Sequence, residues 1–177
     1  MRIITTLIIA VLGTGIGLNG QLQINELNAV NTSGMVNPVL GHPGDWIEIY
    51  NGSASSIDMG GYYLSDNPDT PLKWKFPQDV VVSAGGFLLV WADDTNDTLS
   101  GCHANFKLNV GGETLLLHSA SGGLIDSLTF PRMYEDVSFG ISGAGERVFF
   151  NEPTPGTLNN SASGYQVAGK VRFLPPA

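Results

Sequence analysis

The feature of this sequence with the clearest chemical potential is a short acidic run, Asp93-Asp94-Thr95-Asn96-Asp97. Its three carboxylates and one side-chain amide are the hard oxygen ligands that Ca²⁺ prefers, and extracellular calcium sites are commonly weak and carried by loops. The run lacks the central glycine and terminal glutamate of an EF-hand loop, and the same residue types are typical of a solvated turn. Asp93, Asp94 and Asp97 are therefore candidate calcium ligands, with a solvated loop as the alternative.

A second place with reactive residue types is the adjacent pair Cys102 and His103. Neighbouring residues in an extended segment point to opposite faces, which is a poor arrangement for a nucleophile and its base. We interpret the pair as an exposed loop cysteine beside a histidine that packs or hydrogen-bonds. The sequence contains no Gly-x-Ser-x-Gly, His-Glu-x-x-His or Cys-x-x-Cys pattern. It therefore predicts no catalytic residues, no cofactor other than calcium, and a protein that is not an enzyme.

Six aromatic side chains could form a carbohydrate-stacking platform if several of them were exposed side by side. They are Trp46, Tyr50, Tyr62, Tyr63, Trp74 and Trp91. In a strand, Tyr62 and Tyr63 must point to opposite faces, which argues against one shared platform. We expect Trp46 and Trp91 to pack in the core instead.

Acidic residues outnumber basic ones, and this balance excludes one class of partner. The chain of 177 residues has a formal net charge of -8, and residues 21–160 hold 16 acidic and 5 basic side chains. Affinity for nucleic acid depends on Lys and Arg contacts to phosphate, so we expect no nucleic-acid partner. Two carboxylates fall within predicted strands, and we expect Glu48 and Asp126 to pair with Lys or Arg on the protein surface.

The elements that must position these residues are short strands with frequent turns. In Asp45–Asn51, aromatic and acidic residues alternate with isoleucines, and turn residues stand on both sides. About ten such runs occur with turns every 8–12 residues or so, which predicts a sandwich or barrel without helices beyond residue 20. Phe87–Trp91 does not alternate and is predicted to be a central core strand, whereas Asn105–Leu108 is predicted to be a short strand.

Residues 1–20 differ in composition from the rest of the chain. Arg2 precedes an almost unbroken apolar run, and Leu18-Asn19-Gly20 ends it with small or turn-forming residues. This pattern predicts a signal peptide cleaved near Gly20, with a transmembrane anchor as the alternative. We expect a secreted or cell-surface protein with no membrane insertion after cleavage. The single Cys102 cannot form an internal disulfide, which favours bacterial export.

Residues 161–177 read as a linker followed by the start of a further unit. Ser161–Gly164 has linker composition, and Gly169–Pro176 begins a strand-like pattern that is too short to fold alone. We therefore predict a signal peptide at 1–20, one domain at 21–160, and a linker with the beginning of a possible further domain at 161–177.

The strand motifs occur in an order that resembles one known family. In the first half of the chain the motifs are Ile24–Leu27, Asp45–Asn51, Gly60–Asp66 and Trp74–Pro77. In the second half they are Gly85–Val90, His103–Leu108, Gly112–Leu117, Ile125–Leu128 and Pro153–Asn159. Over residues 22–160 the chain resembles a lamin tail domain. One departure follows Ser138–Gly140, where an Arg and an acidic turn are usual and Ile141–Gly145 stands instead.

The resemblance implies an all-β, immunoglobulin-like β-sandwich of the lamin tail type, preceded by the signal peptide. In bacteria such modules are similar to those of exported multidomain proteins that also carry nucleases, phosphatases or spore-coat-type kinases, where they bind or attach. We therefore predict a non-catalytic exported binding or adhesion module whose partner is a protein or a cell-surface glycan. The alternative is the N-terminal accessory domain of a truncated multidomain exported enzyme of one of those kinds.

Overall fold

The computed structural model of the protein describes residues 22–159 and 164–165, and every regular element in these ranges is a β-strand. The strands are β1 (Leu22–Asn28), β2 (Trp46–Asn51), β3 (Ile57–Asp58), β4 (Tyr63–Ser65), β5 (Trp74–Lys75), β6 (Val81–Val82), β7 (Phe87–Trp91), β8 (Glu113–His118), β9 (Leu124–Phe130), β10 (Ser138–Ile141), β11 (Arg147–Phe150) and β12 (Gly164–Tyr165). In the described ranges no helix is long and apolar enough to cross a membrane.

The strands form two principal sheets and a short two-stranded ribbon. The six-stranded sheet has the order β12-β11-β10-β1-β2-β7, the four-stranded sheet has the order β5-β4-β8-β9, and β3 pairs with β6. All pairs between these strands are antiparallel. Apolar residues of both principal sheets form one core cluster, so the predicted immunoglobulin-like sandwich is confirmed.

A β-bulge in β1 determines which side chains leave the core. Leu22 and Ile24 face inward as their alternation predicts. Leu27 is also inward, although it lies an odd number of residues after Ile24 and strict alternation would place it on the other face. The register between β1 and β2 shifts between Ile24 and Glu26, and the extra residue of this bulge lets the side chains on both sides of it face the core. Consequently Glu26 turns to the outer face, meaning the face of the six-stranded sheet that points away from the core.

The prediction of a central core strand at Phe87–Trp91 is wrong. This segment is β7 at the edge of the six-stranded sheet, where it pairs along its length with β2 alone. The two central strands of this sheet are β10 and β1. Phe87 and Leu89 are only half-buried. An unbroken apolar run indicates that both faces of a strand are partly covered, but it does not show how many strands lie beside it.

The predicted strand at Asn105–Leu108 is also wrong. The segment makes a single bridge between Lys107 and Asp93 and otherwise has no regular pairing. Phe106 and Leu108 are nevertheless buried in the core, so an apolar alternation that suggested a strand serves to anchor a loop. Ile57–Asp58 forms the short strand β3, which its sequence pattern does not predict.

Two predictions concern residues that lie mostly outside the described ranges. The signal peptide at 1–20 falls entirely there and stays a prediction. In the segment 161–177, Gly164–Tyr165 forms β12, which pairs with β11 at the edge of the six-stranded sheet. The boundary at residue 160 likewise stays a prediction.

Candidate functional site

The long connections of the domain meet at one end of the sandwich. They are residues 29–45 between β1 and β2, residues 92–112 between β7 and β8, residues 131–137 between β9 and β10, and residues 151–159 after β11. We call these four segments the loop end. Sandwich domains commonly carry their binding surfaces on loops that a rigid β-scaffold holds in place, so the loop end is the candidate binding surface of this domain.

A buried group of hydrogen-bonded side chains joins residues 29–45 to residues 92–112 and joins the two ends of the acidic loop to each other. His103 Nδ1 lies 2.6 Å from Asp93 Oδ2, and Asn37 donates a hydrogen bond of 2.7 Å to the same oxygen. The other oxygen, Oδ1, accepts hydrogen bonds from the amide and hydroxyl of Thr95. Burial acts to raise the pKa of Asp93, but the hydrogen bonds from His103, Thr95 and Asn37 outweigh it and hold that pKa below its ordinary value.

The interpretation of His103 is confirmed and that of Cys102 is corrected. His103 is fully buried and hydrogen-bonded, as expected. Cys102 is also buried rather than exposed, because its backbone carbonyl pairs with Trp91 and draws this segment onto the sheet edge. Burial raises the pKa of the Cys102 thiol to about 11, so almost none of it is the reactive thiolate at neutral pH.

The three candidate calcium ligands have different surroundings. Asp93 is 7% exposed and both of its oxygens accept hydrogen bonds from protein groups, whereas Asp94 is exposed and Asp97 is half-buried. Asp97 accepts hydrogen bonds from the amides of Leu99 and Ser100. Within residues 22–159, no three His, Cys, Asp or Glu side chains are close enough together to hold a metal ion. Calcium binding at this run stays a prediction.

A second set of contacts fixes residues 29–45 to residues 131–137. The carboxylate of Asp136 accepts hydrogen bonds from the backbone amides and hydroxyls of both Thr32 and Ser33, at distances of 2.6–3.0 Å. The Ser33 hydroxyl and amide are the chief reason that the pKa of Asp136 falls to about 2. Asp136 also donates its own amide to the carbonyl of Val30. Because Asp136 is ionised at physiological pH, its carboxylate remains available there as the acceptor that joins these two loops.

Two buried glutamates hold residues 151–159 against the outer face. Glu26 accepts hydrogen bonds from the amide and hydroxyl of Thr154 and a short one from the Ser138 hydroxyl. Glu48 accepts a short hydrogen bond from the Gly156 amide. The expected surface pairing of Glu48 with Lys or Arg is therefore wrong. The carboxylate is buried because the segment after β11 folds back over it.

The same environment perturbs the titration of both glutamates. Burial raises the pKa of Glu48 to about 7, against hydrogen bonds from Gly156 and Asn25, and the neighbouring Glu26 carboxylate adds to the rise. Burial likewise raises the pKa of Glu26, although Ser138 and Thr154 oppose it. Two carboxyl groups that cannot both ionise freely are common in functional sites and also in structural networks.

Asp126 was expected on the surface beside a basic residue, and this too is wrong. Its Oδ2 accepts a hydrogen bond of 2.7 Å from the backbone amide of Ile24, which joins β9 of the four-stranded sheet to β1 of the six-stranded sheet. Strand alternation places Asp126 on the same face of β9 as the buried Leu128 and Phe130, so its carboxylate points towards the facing sheet. The sequence could not show that β1 passes within reach of that side chain.

A cleft of about 380 Å³ opens between the loops that these two sets of contacts fix in place. Its apolar wall comes from Met35, Trp46 and two prolines, Pro153 and Pro155. The polar residues that line it are Asn28, Asn31, Asp136, Asn151 and Glu152. Among the described residues, no Lys or Arg lines the cleft, so this part of the chain combines an apolar wall with negative charge.

The tryptophans do not form an exposed stacking platform. Trp46, Trp74 and Trp91 are 1%, 1% and 6% exposed, which confirms the expected packing of Trp46 and Trp91. Tyr50 is half-buried and stacks on Phe87, with ring centroids 4.9 Å apart. Carbohydrate stacking on several tryptophans is therefore not available on this surface.

Sequence reasoning missed most of the residues that shape the cleft. Asn28, Met35 and Asp136 stand in segments without periodicity, where nothing indicates that they come together. Glu26 carried a weak signal, since a charged residue inside a strand that is otherwise buried needs a partner. The Pro153–Asn159 motif was noticed only as part of a family resemblance, and its local sequence does not reveal that it covers two carboxylates.

Two sheets with one shared core and an end of interlocked loops define an immunoglobulin-like sandwich module. Comparison with known families narrows this class. Residues 18–132 match the family model of the Lamin Tail Domain, and the chain belongs to this family, whose domain is immunoglobulin-like and non-catalytic. The match ends before residues 151–159, which the resemblance had included. No curated protein matches the chain.

Proposed function

We propose that this protein is an exported, non-catalytic binding or adhesion module that attaches to an extracellular protein or a cell-surface glycan through its loop end. The observation that carries the proposal is the cleft of about 380 Å³. Concave sites with mostly apolar walls and a few fixed polar groups are typical of ligand binding, and this one lies where three of the loops converge, namely residues 29–45, 131–137 and 151–159.

The cleft is supported on both sides, which favours binding without a large ordering cost. Asp136 fixes the loop of residues 29–45 through Thr32 and Ser33, and Glu26 fixes the opposite wall through Thr154. A site whose walls are already ordered loses little conformational entropy when a ligand enters.

Export is supported by residues 1–20 and by the composition of the domain. An apolar run after one basic residue is the pattern of a secretory signal, and an acidic surface without a basic patch suits a soluble extracellular protein. The domain reaches its fold with one cysteine, which is buried, so its stability does not depend on disulfide formation. These features favour a bacterial protein that is secreted or held at the cell surface.

The proposal is tested by following the full chain to its site of attachment. The protein is located by fractionation of the cells that make it, then purified, labelled and added to envelopes of the same cells. Protease treatment of the envelopes should abolish binding if the ligand is a protein, and periodate treatment should abolish it if the ligand is a glycan. A chain retained inside the cell, or one that binds no envelope, would contradict the proposal.

A variant in the cleft tests whether the loop end is the surface that binds the envelopes. Met35 is half-buried in the cleft wall, and Met35→Glu should weaken envelope binding by about tenfold or more, as loss of an apolar anchor does. Leu124→Glu is the matched control, since Leu124 is 59% exposed on β9 at the opposite end of the sandwich. Equal binding by the two variants would remove the cleft from the proposal.

A further inference from the structure

We infer that the cleft at the loop end takes a lysine or arginine side chain from an extended segment of a partner protein. This inference rests on the function proposed above and specifies its ligand. It is carried by three features of the cleft lining, namely its charge, its apolar wall and one buried amide.

The charge of the lining selects a cation. Among the described residues, Asp136 and Glu152 are the two ionisable ones that line the cleft, both are acidic, and neither forms an ion pair with a described Lys or Arg. The hydrogen bonds from Thr32 and Ser33 keep Asp136 ionised while they fix its position. A cationic side chain entering the cleft therefore meets a fixed negative charge that no described basic side chain neutralises, and the net charge of -8 attracts it over longer distances.

The apolar wall selects a cation that is carried on a hydrocarbon stem. Met35, Trp46, Pro153 and Pro155 present carbon surface beside the two carboxylates. Lysine and arginine bury their methylene groups along such surfaces while the charged head stays near polar groups. A small inorganic cation would leave this wall without a contact.

The buried amide of Asn28 favours a peptide over an isolated cation. Asn28 is 1% exposed and lines the cleft, and its side-chain oxygen already accepts a hydrogen bond from Val30. Its amide nitrogen makes no hydrogen bond to a described residue and is not among the fully enclosed side-chain atoms without a partner, so it is open to the cleft. The backbone carbonyl of an extended peptide can accept a hydrogen bond from this amide next to the basic side chain.

The experiment selects peptides with the full chain rather than assuming a ligand. A surface-displayed library of ten-residue peptides with unconstrained sequence is sorted for binding to the labelled protein. We expect the selected peptides to be enriched in Lys and Arg, and binding to weaken by about fivefold when the basic residue is replaced by Gln. Raising the salt concentration to about 0.5 M should weaken binding further, because the charges lie near solvent.

Matched variants assign this selectivity to the cleft. Glu152→Gln should weaken the binding of the selected peptides by about threefold to fivefold, whereas Glu146→Gln should leave their binding unchanged. Glu146 is exposed in the β10–β11 turn at the opposite end of the same sheet, and both changes remove one negative charge. Equal effects of the two variants, or selected peptides without basic residues, would overturn the inference.

The outcomes separate this inference from the proposed function. If the library yields no binder and the chain attaches to envelopes in a periodate-sensitive way, the peptide inference fails and the proposed function stands with a glycan ligand. If the chain binds neither peptides nor envelopes, both fail.

Discussion

Glu26 and Glu48 lie directly opposite each other on neighbouring strands, and both are buried beneath the segment 151–159. Their carboxylates are the acceptors that hold the backbone amides of Thr154 and Gly156. The same segment supplies the two prolines in the cleft wall. The protonation of this pair is therefore linked to both the stability of the domain and the shape of its candidate site.

The first prediction concerns the dependence of stability on pH. Burial raises the pKa values of Glu48 and Asp45 to about 7, so the folded protein holds protons that the unfolded chain releases near pH 4. Stability is then greatest below the unfolded pKa and is lost as pH rises towards 7. We expect the free energy of unfolding to increase by about 1–3 kcal/mol as pH falls from about 7.5 to about 5, measured by urea denaturation.

The variant Glu48→Gln identifies the source of this dependence. It is uncharged at every pH, so the slope should fall to the share that the other carboxyl groups with raised pKa values contribute, namely Asp45, Glu26 and Glu113. The low pKa of Asp136, about 2, affects stability only below about pH 4 and leaves this window unchanged. A free energy of unfolding that increases from pH 5 to pH 7 in the native sequence would contradict the assignment.

The second prediction concerns the close approach of β10 to β1. A Cβ atom at Gly140 would lie 2.3 Å from the carbonyl oxygen of Asn25 and 2.9 Å from Cα of Glu26. Gly140→Ala must therefore push the two strands apart, and we expect a loss of about 2–3 kcal/mol in the free energy of unfolding. Gly143→Ala is the control, because a Cβ there meets nothing within 4 Å, and it should change stability by less than about 0.5 kcal/mol.

The third prediction concerns the reactivity of Cys102. It is 6% exposed, and burial raises the pKa of its thiol to about 11. Because both access and thiolate population are low, alkylation by iodoacetamide at neutral pH should be at least about 100-fold slower in the folded protein than in urea. Mass spectrometry of timed samples measures both rates. Similar rates in the two conditions would show that the segment around Cys102 opens readily.

The fourth prediction tests calcium binding by Asp93, Asp94 and Asp97. If the acidic run binds Ca²⁺, millimolar calcium should raise the melting temperature, and magnesium should have a smaller effect. The double variant Asp94→Asn/Asp97→Asn should remove that rise while it leaves the hydrogen bonds of Asp93 to His103 and Asn37 intact. An unchanged melting temperature of the native sequence in calcium would contradict the hypothesis.

Local patterns in the sequence predicted most of the strands and their buried faces. Alternation placed Leu22 and Ile24 inward, whereas the burial of Leu27 on the same face depends on the β-bulge in β1, and turn residues marked the limits of β2. The same reasoning failed for β7, where an apolar run indicated a central strand. The pattern of side chains along a strand shows only how far its two faces are covered. The number of neighbouring strands depends on backbone pairing, which leaves no trace in a run of apolar residues.

By itself the sequence determined the all-β class, the sandwich, the family and the acidic character of the surface. Only the tertiary structure decided that Glu26 and Glu48 are buried together, that Cys102 is inaccessible, and that loops from three connections enclose a cleft. The reason is the separation of the partners along the chain, since Glu26 and Thr154 lie 128 residues apart. Periodicity describes the surroundings of a residue over one strand, whereas a buried carboxylate is defined by the distant backbone amides that fold over it.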